Sequence, residues 1–308
     1  MAMEHRVKMA LDESRLLVMG AQVLFGFQFQ AAFQELYANI PAGSRYVHCA
    51  GLALLLLSLG LLIAPSLIHR IVHGGDATPA AVKMATSFAG ASLLPLTLGL
   101  GAAIFLTFEQ VFDRSVGIAA GASLAVIALL LLYGLGFALG RPRDQPMRDQ
   151  PAKTSLKSKI EQMLTEARVI IPGAQALLGF QLVAVLTRTF NELPAAFKYV
   201  HCVALSAVAI SVLFLMTPAA LHRIGYQGED DPTFFSIGSW FVVAGSVPLA
   251  VGIAADVSVV FYRAIGDTHV AIAAGVVALV LLLALWLGYP LWRRRTVTAA
   301  RRNVREYR

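Results

Sequence analysis

Four of the seven histidines fall into two matched pairs. His48 and His201 open long apolar stretches, and His69 and His222 close the same stretches, each followed by an arginine (Arg70, Arg223). An imidazole can ligate a metal or haem iron, carry a proton, or simply hydrogen-bond. Within one stretch the two histidines stand 21 residues apart, roughly 31 Å along a helix, so they cannot share a site there. Bis-histidine sites would need His48 opposite His201 and His69 opposite His222. His48 and His201 are therefore only weak metal candidates. A His-Arg at a helix end is also explained by headgroup contact and by the field of the helix C-terminus.

Amides form the second group. Gln22, Gly26, Gln30 and Gln34 recur every four residues, which places them on one helix face, with Gln28 off it. The fifth apolar stretch keeps Gln175, Gly179 and Gln181 but has Val183 and Thr187 on that face. Amides are costly in lipid, so these helices should face a bundle interior. There the glutamines could line a path for a solute or ion, or serve as hydrogen-bonding glue between helices. Gly20, Gly26, Gly173 and Gly179 would allow close helix approach, which suits the glue.

Charged groups complete the set. Glu13 with Arg15, and Glu166 with Arg168, flank the start of the glutamine-bearing helices. They read as helix-end electrostatics and headgroup contact, or as a cytoplasmic gate pairing with Arg70 and Arg223. Glu109 and Asp256 are acids inside apolar stretches, where an ionisable group marks function by default. Arg263 or His269 is the expected partner of Asp256. Cys49 and Cys202 are expected to be buried free thiols.

The elements that must position these groups are membrane helices. Hydrophobic residues make up 57% of the 308, and charged ones 14%, where soluble chains carry about a quarter. The polar N-terminal segment is not a signal peptide, so the first hydrophobic helix should stay as an anchor. Eight apolar stretches can be read, at 16–37, 47–67, 84–108, 115–139, 169–193, 200–221, 234–261 and 270–291. Each is long enough to cross about 30 Å of hydrocarbon as a helix. With the N-terminus inside, only Arg45, Arg114, Arg188, Lys198 and Arg263 of the 25 Lys and Arg fall outside, which predicts both termini in the cytoplasm.

A shift of 153 residues realigns the chain without a gap for about a hundred positions. Glu13 and Arg15 fall on Glu166 and Arg168, Tyr46-Val47-His48-Cys49 on Tyr199-Val200-His201-Cys202, and Pro95 and Gly99 on Pro248 and Gly252. A unit with an even number of spans repeats in the same orientation, so a pseudo-two-fold along the membrane normal is expected. The chain then reads as an all-α membrane protein of eight transmembrane helices in two parallel-oriented four-helix repeats. The repeats are 1–140 and 159–292, joined by a basic linker at 141–158 and followed by a basic tail at 293–308. A short amphipathic segment before each first span either lies in the headgroups or extends the helix.

The run Glu-x-Arg, then Gly-x-Gln-x-Leu-x-Gly-Phe-Gln, a Tyr opening the second span and Pro-x-x-x-His-Arg closing it resembles an uncharacterised bacterial family of small four-helix membrane proteins, here doubled in tandem. The likeness is strongest over Glu13–Arg70 and Glu166–Arg223, with Met19 where the second copy has Pro172. It implies a fold, a bacterial cytoplasmic (inner) membrane location, and no particular chemistry.

No phosphate-binding loop, dinucleotide fingerprint, HExxH or nucleophile elbow occurs in a suitable context, so the chain reads as a non-enzyme without a cofactor. The net charge of +7 sits in the linker and tail. That suits anionic headgroups rather than nucleic acid. A homo-oligomer is compatible with the sequence. Three functions remain open: a conduit for a small solute or ion, a structural or lipid- and partner-interacting protein, and a haem or metal redox protein. The layout has a direct test. With Cys49 and Cys202 replaced by serine, single cysteines in the linker and in the tail are expected to react with an impermeant thiol reagent from the same face of the membrane. Opposite faces would overturn the four-span repeat.

Overall fold

The computed structural model describes residues 2–134 and 154–306, and among them every regular element is a helix. Lipid offers no partner to a free backbone N–H or C=O, so apolar segments satisfy themselves internally. The first half contains α1 (Ala2–Ala31), α2 (Ala42–His73), α3 (Pro79–Val111) and α4 (Arg114–Leu129), which continues as a π-turn at Leu130–Gly134. The second contains α5 (Leu156–Ala184), a short α6 (Arg188–Asn191), α7 (Ala195–Ile224), α8 (Pro232–Ile265) and α9 (Thr268–Leu283). A π segment at Ala284–Gly288 leads from α9 into α10 (Tyr289–Glu306). Among the described residues seven helices are long and apolar enough to cross a membrane; the apolar part of α1, Leu17–Ala31, is shorter. Most of the linker at 141–158 lies outside the described residues, and its last three residues, 156–158, open α5.

Both amphipathic segments extend the first helix of their repeat, because α1 and α5 run unbroken through them. Leu11 of α1 is buried against Ala77, Ala81, Val82 and Ala85, and Ile160, Met163 and Ala167 of α5 join the main core. The far ends of the first helices differ from the expected stretches. α1 stops at Ala31, and Ala32, Phe33 and Gln34 bond three residues back instead of four. A 3₁₀ turn at Glu35–Asn39 follows, and Pro41 sits at the start of α2. α5 likewise stops at Ala184, after which Thr187 caps α6 by accepting from the Phe190 N–H. Phe33, Tyr37 and Phe190 are still buried. The apolar run therefore continues through the turn while the helix does not.

α1 packs against α5, as a two-fold between first helices requires. Elsewhere the two halves differ. In α2, 72% of the apolar window is buried, against 39% in its repeat mate α7; α3 has 33%, against 67% in its mate α8. The cause is that α2 touches α8, α10 and the π segment of the second half, whereas α7 has no comparable contact with α3 or α4. The core is thus built from α1, α2, α5 and α8.

Some packing motifs survive in both halves. The Ser58 hydroxyl donates to the Ser92 carbonyl, and its mate Ser211 to that of Gly245, at 3.0 and 2.8 Å. Gly121 lies against the Gly101 carbonyl, and Gly275 against that of Ala254, where an added Cβ would clash. Small residues of this kind let membrane helices approach closely. These pairs also correct the gapless repeat. Gly101 and Ala254 are 153 apart, but Gly121 and Gly275 are 154 apart, as are the caps Asp113 and Asp267. One extra residue therefore enters near the end of α8, which is 34 residues long against 33 in α3.

Asp113 and Asp267 start the fourth helices by accepting from the Val116 and Val270 N–H groups at 2.9 and 3.0 Å. The Ser115 hydroxyl holds the Asp113 carboxyl below its usual range, and the Val270 N–H does so for Asp267. A depressed folded pKa stabilises the cap at neutral pH, and that contribution is lost as pH falls. Amide exchange at Val116 and Val270, corrected for intrinsic rate, is expected to accelerate below about pH 4. Asn caps equally well without titrating. Asp113→Asn and Asp267→Asn should therefore remove the acceleration, and an unchanged profile would refute the cap assignment.

Candidate functional site

Two buried polar centres lie along the core, one toward each end. The far centre is built from the first and second helices of each half. His48 Nε2 donates to the Gln28 carbonyl at 2.9 Å, and His201 Nε2 to the Gln181 carbonyl at 3.0 Å. A carbonyl only accepts, so the proton sits on Nε2 and Nδ1 is the acceptor nitrogen of each neutral ring. Each histidine therefore ties its second helix to its own first helix. Each of the two rings is turned to its own first helix by that bond. Among the described residues no group of three or more His, Cys, Asp or Glu is placed to hold a metal ion.

The two Nδ1 atoms meet different chemistry. In the first half the Tyr37 hydroxyl donates to His48 Nδ1 at 2.7 Å. The repeat mate of Tyr37 is Phe190, which can only set its ring edge-on against His201, with centroids 5.0 Å apart. In place of the hydroxyl, His201 Nδ1 faces Asp256 Oδ1 at 4.0 Å. The mate of Asp256 is Ala103, so the carboxylate belongs to the second half alone. Asp256 Oδ2 accepts from the Gln181 amide at 2.7 Å. Asp256, His201 and Gln181 are each 0% exposed. Three of their atoms, Gln181 Oε1, His201 Nδ1 and Asp256 Oδ1, have no hydrogen-bond partner in the protein. Phe29 of α1 stacks on the His201 ring with centroids 5.9 Å apart, so the first half covers this centre. Arg263 and His269, the partners expected for Asp256, are not bonded to it. Gln181 is 75 positions away in sequence and packs beside it.

The near centre crosses the halves. Arg70 of α2 pairs with Glu166 of α5 and donates to the Ser239 hydroxyl of α8 at 2.9 Å. His69 lies 3.4 Å from the Gln162 carbonyl oxygen, also on α5. The arginine-glutamate pairing thus forms between Arg70 and Glu166. Arg223 and Arg168 are exposed, and His222 is half-buried against the Phe234 ring. The side chains of Glu13 and Arg15 lie outside the described residues.

The six glutamines are dispersed. Gln22 is buried, its amide makes no protein hydrogen bond, and it presses on Gly173 of α5, where a Cβ would overlap it. Gly26 is covered in the same way by the Phe180 ring. The seam between first helices is therefore packed. Gln28 is buried, Gln30 half-buried, Gln34 exposed in the turn, and Gln175 exposed, unlike its mate Gln22. Glu109 is half-buried against Gly117 at the contact between α3 and α4. Cys49 is buried as expected, but Cys202 is exposed on the outward face of α7. Tyr37 was not singled out from sequence. The aligned aromatics Tyr37 and Phe190 were the available signal.

Removing one partner of a buried ion pair strands the other charge, at a cost of about 3–5 kcal/mol. Glu166→Leu, which strands Arg70, is expected to destabilise the detergent-solubilised protein by about that much in denaturant titration, and Arg70→Leu by less, because Glu166 keeps a further interaction. The double variant should recover most of the loss. Equal, additive losses would show that the two side chains do not act on each other.

No curated protein and no solved structure matches the chain. A family model does, twice in tandem, over residues 3–136 and 149–290. The chain belongs to a family of unknown function, DUF6328, and carries two copies of its unit.

Proposed function

We propose that the chain is a multi-pass protein of a bacterial cytoplasmic membrane with eight spans and both termini inside, and that its Asp256–His201–Gln181 centre takes up and releases a proton as a small solute or ion passes. The membrane reading is supported by seven helices long and apolar enough to cross. The eighth span would be the apolar part of α1, Leu17–Ala31, continued past the helix break by the buried Phe33 and Tyr37.

One observation carries the proton reading. A carboxyl oxygen, an imidazole nitrogen and an amide oxygen, none with a protein partner, converge in a fully buried place. With Nε2 committed to a carbonyl, a proton on His201 Nδ1 makes an ion pair with Asp256, and a proton on Asp256 leaves both groups neutral. Both of these states hold one proton; its release leaves a neutral His201 beside the Asp256 carboxylate, so the centre changes charge by one unit without moving the backbone. Isolated ionisable groups of this kind at membrane depth line proton and ion routes. The near centre of Arg70, Glu166 and Ser239 uses the same helices α5 and α8 and would form the cytoplasmic closure.

The packed seam of Gln22 with Gly173 favours a second reading, in which the bundle is a rigid scaffold that meets anionic lipid or a partner through its basic linker and tail.

Proteoliposomes carrying a trapped pH dye separate the two. Wild type is expected to acidify under an imposed potential. Asp256→Asn should cut the rate at least about tenfold, as loss of a proton-transferring group does. Asp256→Glu should keep part of it, and Gln22→Leu with Gln175→Leu should leave it largely intact. A wild-type rate equal to that of empty vesicles would remove the proton reading and leave the scaffold.

A further inference from the structure

The same helix face is buried in one half of this protein and open in the other. On α2, Trp286 seats its indole against Gly60, donating to the Gly60 carbonyl at 3.0 Å. Ile63, Leu67 and Arg70 beside it are buried. The repeat mates on α7 are Leu213, Met216, Ala220 and Arg223. All four are exposed. They line a groove of about 930 Å³ between α5 and α7, together with Ile171 and Arg168 of α5. Among the described residues no acidic side chain lines it.

The groove has two distinct ends. Leu213, Met216 and Ile171 form an apolar wall toward the bilayer centre. Arg168, Arg223 and His222 gather where α7 ends. Neither arginine has an ion pair or hydrogen bond among the described residues, and His222 Nε2 has no hydrogen-bond partner. The contrast with Arg70 is direct. That arginine spends its charge on Glu166, whereas Arg223 keeps its charge at the surface.

We propose that this groove is a binding site for one anionic phospholipid, with the phosphate held by Arg168 and Arg223 and an acyl chain lying along Leu213 and Met216. Two guanidiniums without a carboxylate favour a phosphate, which they can meet bidentately. An adjoining apolar wall favours a phosphate that carries a chain, as lipid pockets between helices on the cytoplasmic side do. The chain's own linker is a poor occupant, because 141–153 carries Arg141, Arg143, Arg148 and Lys153 against Asp144 and Asp149. The site rests on the chain spanning a bilayer and not on proton passage.

Native mass spectrometry of the full chain in detergent, titrated with phosphatidylglycerol and phosphatidylcholine of identical chains, tests it. One phosphatidylglycerol should be retained with about a tenfold preference, in keeping with the attraction of two basic residues to anionic lipid. Arg168→Gln with Arg223→Gln should abolish the preference while leaving phosphatidylcholine binding and thermal stability unchanged. Leu213→Trp, which fills the apolar end, should lower retention of both lipids. Three outcomes would overturn the site: an undiminished preference in the double glutamine variant, equal competition by inorganic phosphate, or a two-chain species that Leu213→Trp dissociates. They would indicate, in turn, a headgroup contact elsewhere, a free-anion site, and a second copy covering the face.

Discussion

One buried guanidinium ties the two halves together across three helices. Arg70 reaches from α2 to Glu166 on α5 and to Ser239 on α8, so it joins one helix of the first repeat to two of the second. A cation taken out of water must find its partners inside the protein, and here they come from the other copy. Around it α2 and α8 become the central helices and lose most of their outer surface. A tandem repeat offers two equivalent ways to make this tie, Arg70 to Glu166 or Arg223 to Glu13. Among the described residues Arg223 makes no tie and stands exposed. With α8, the π segment and α10 gathered on α2, the matching face of α7 is left outside.

Small residues make that arrangement possible at close range. Gly173 against Gln22 and Gly26 against Phe180 let α1 and α5 meet with side chains lying directly on backbone. Without a hydrophobic force between helices in lipid, such contact and the buried polar ties must supply the association. The Gln22 amide has no hydrogen bond to protein at this seam. An unsatisfied buried amide costs about 1–3 kcal/mol. Its place is therefore explained by packing shape and not by bonding.

Helix positions, the duplication and the inward-facing first helices were legible because hydropathy and a fixed shift along the chain are local or self-referential signals. The helix break at Ala31 was not, since Phe33 and Tyr37 are as apolar as the span before them and stay buried in the turn. The partner of Asp256 was not legible either. Sequence proximity pointed to Arg263 and His269, whereas Gln181 arrives through the packing of α5 on α8. Nor could the sequence choose between copies. His69-Arg70 and His222-Arg223 are the same dipeptide at the same repeat position, yet one is buried and the other faces outward. That difference comes from inter-half packing, which no single copy encodes.

Duplication then allows the two histidine centres to diverge without losing the frame that holds them. Both rings keep the bond from Nε2 to a first-helix carbonyl, so both orientations are fixed by the same device. At Nδ1 the copies part. The Tyr37 hydroxyl donates to His48, which completes that ring's hydrogen bonding. His201 faces the Asp256 carboxyl group, where the first half has Ala103. The two copies thus hold the same histidine in the same frame and differ around it at two side-chain positions, Tyr37 against Phe190 and Ala103 against Asp256.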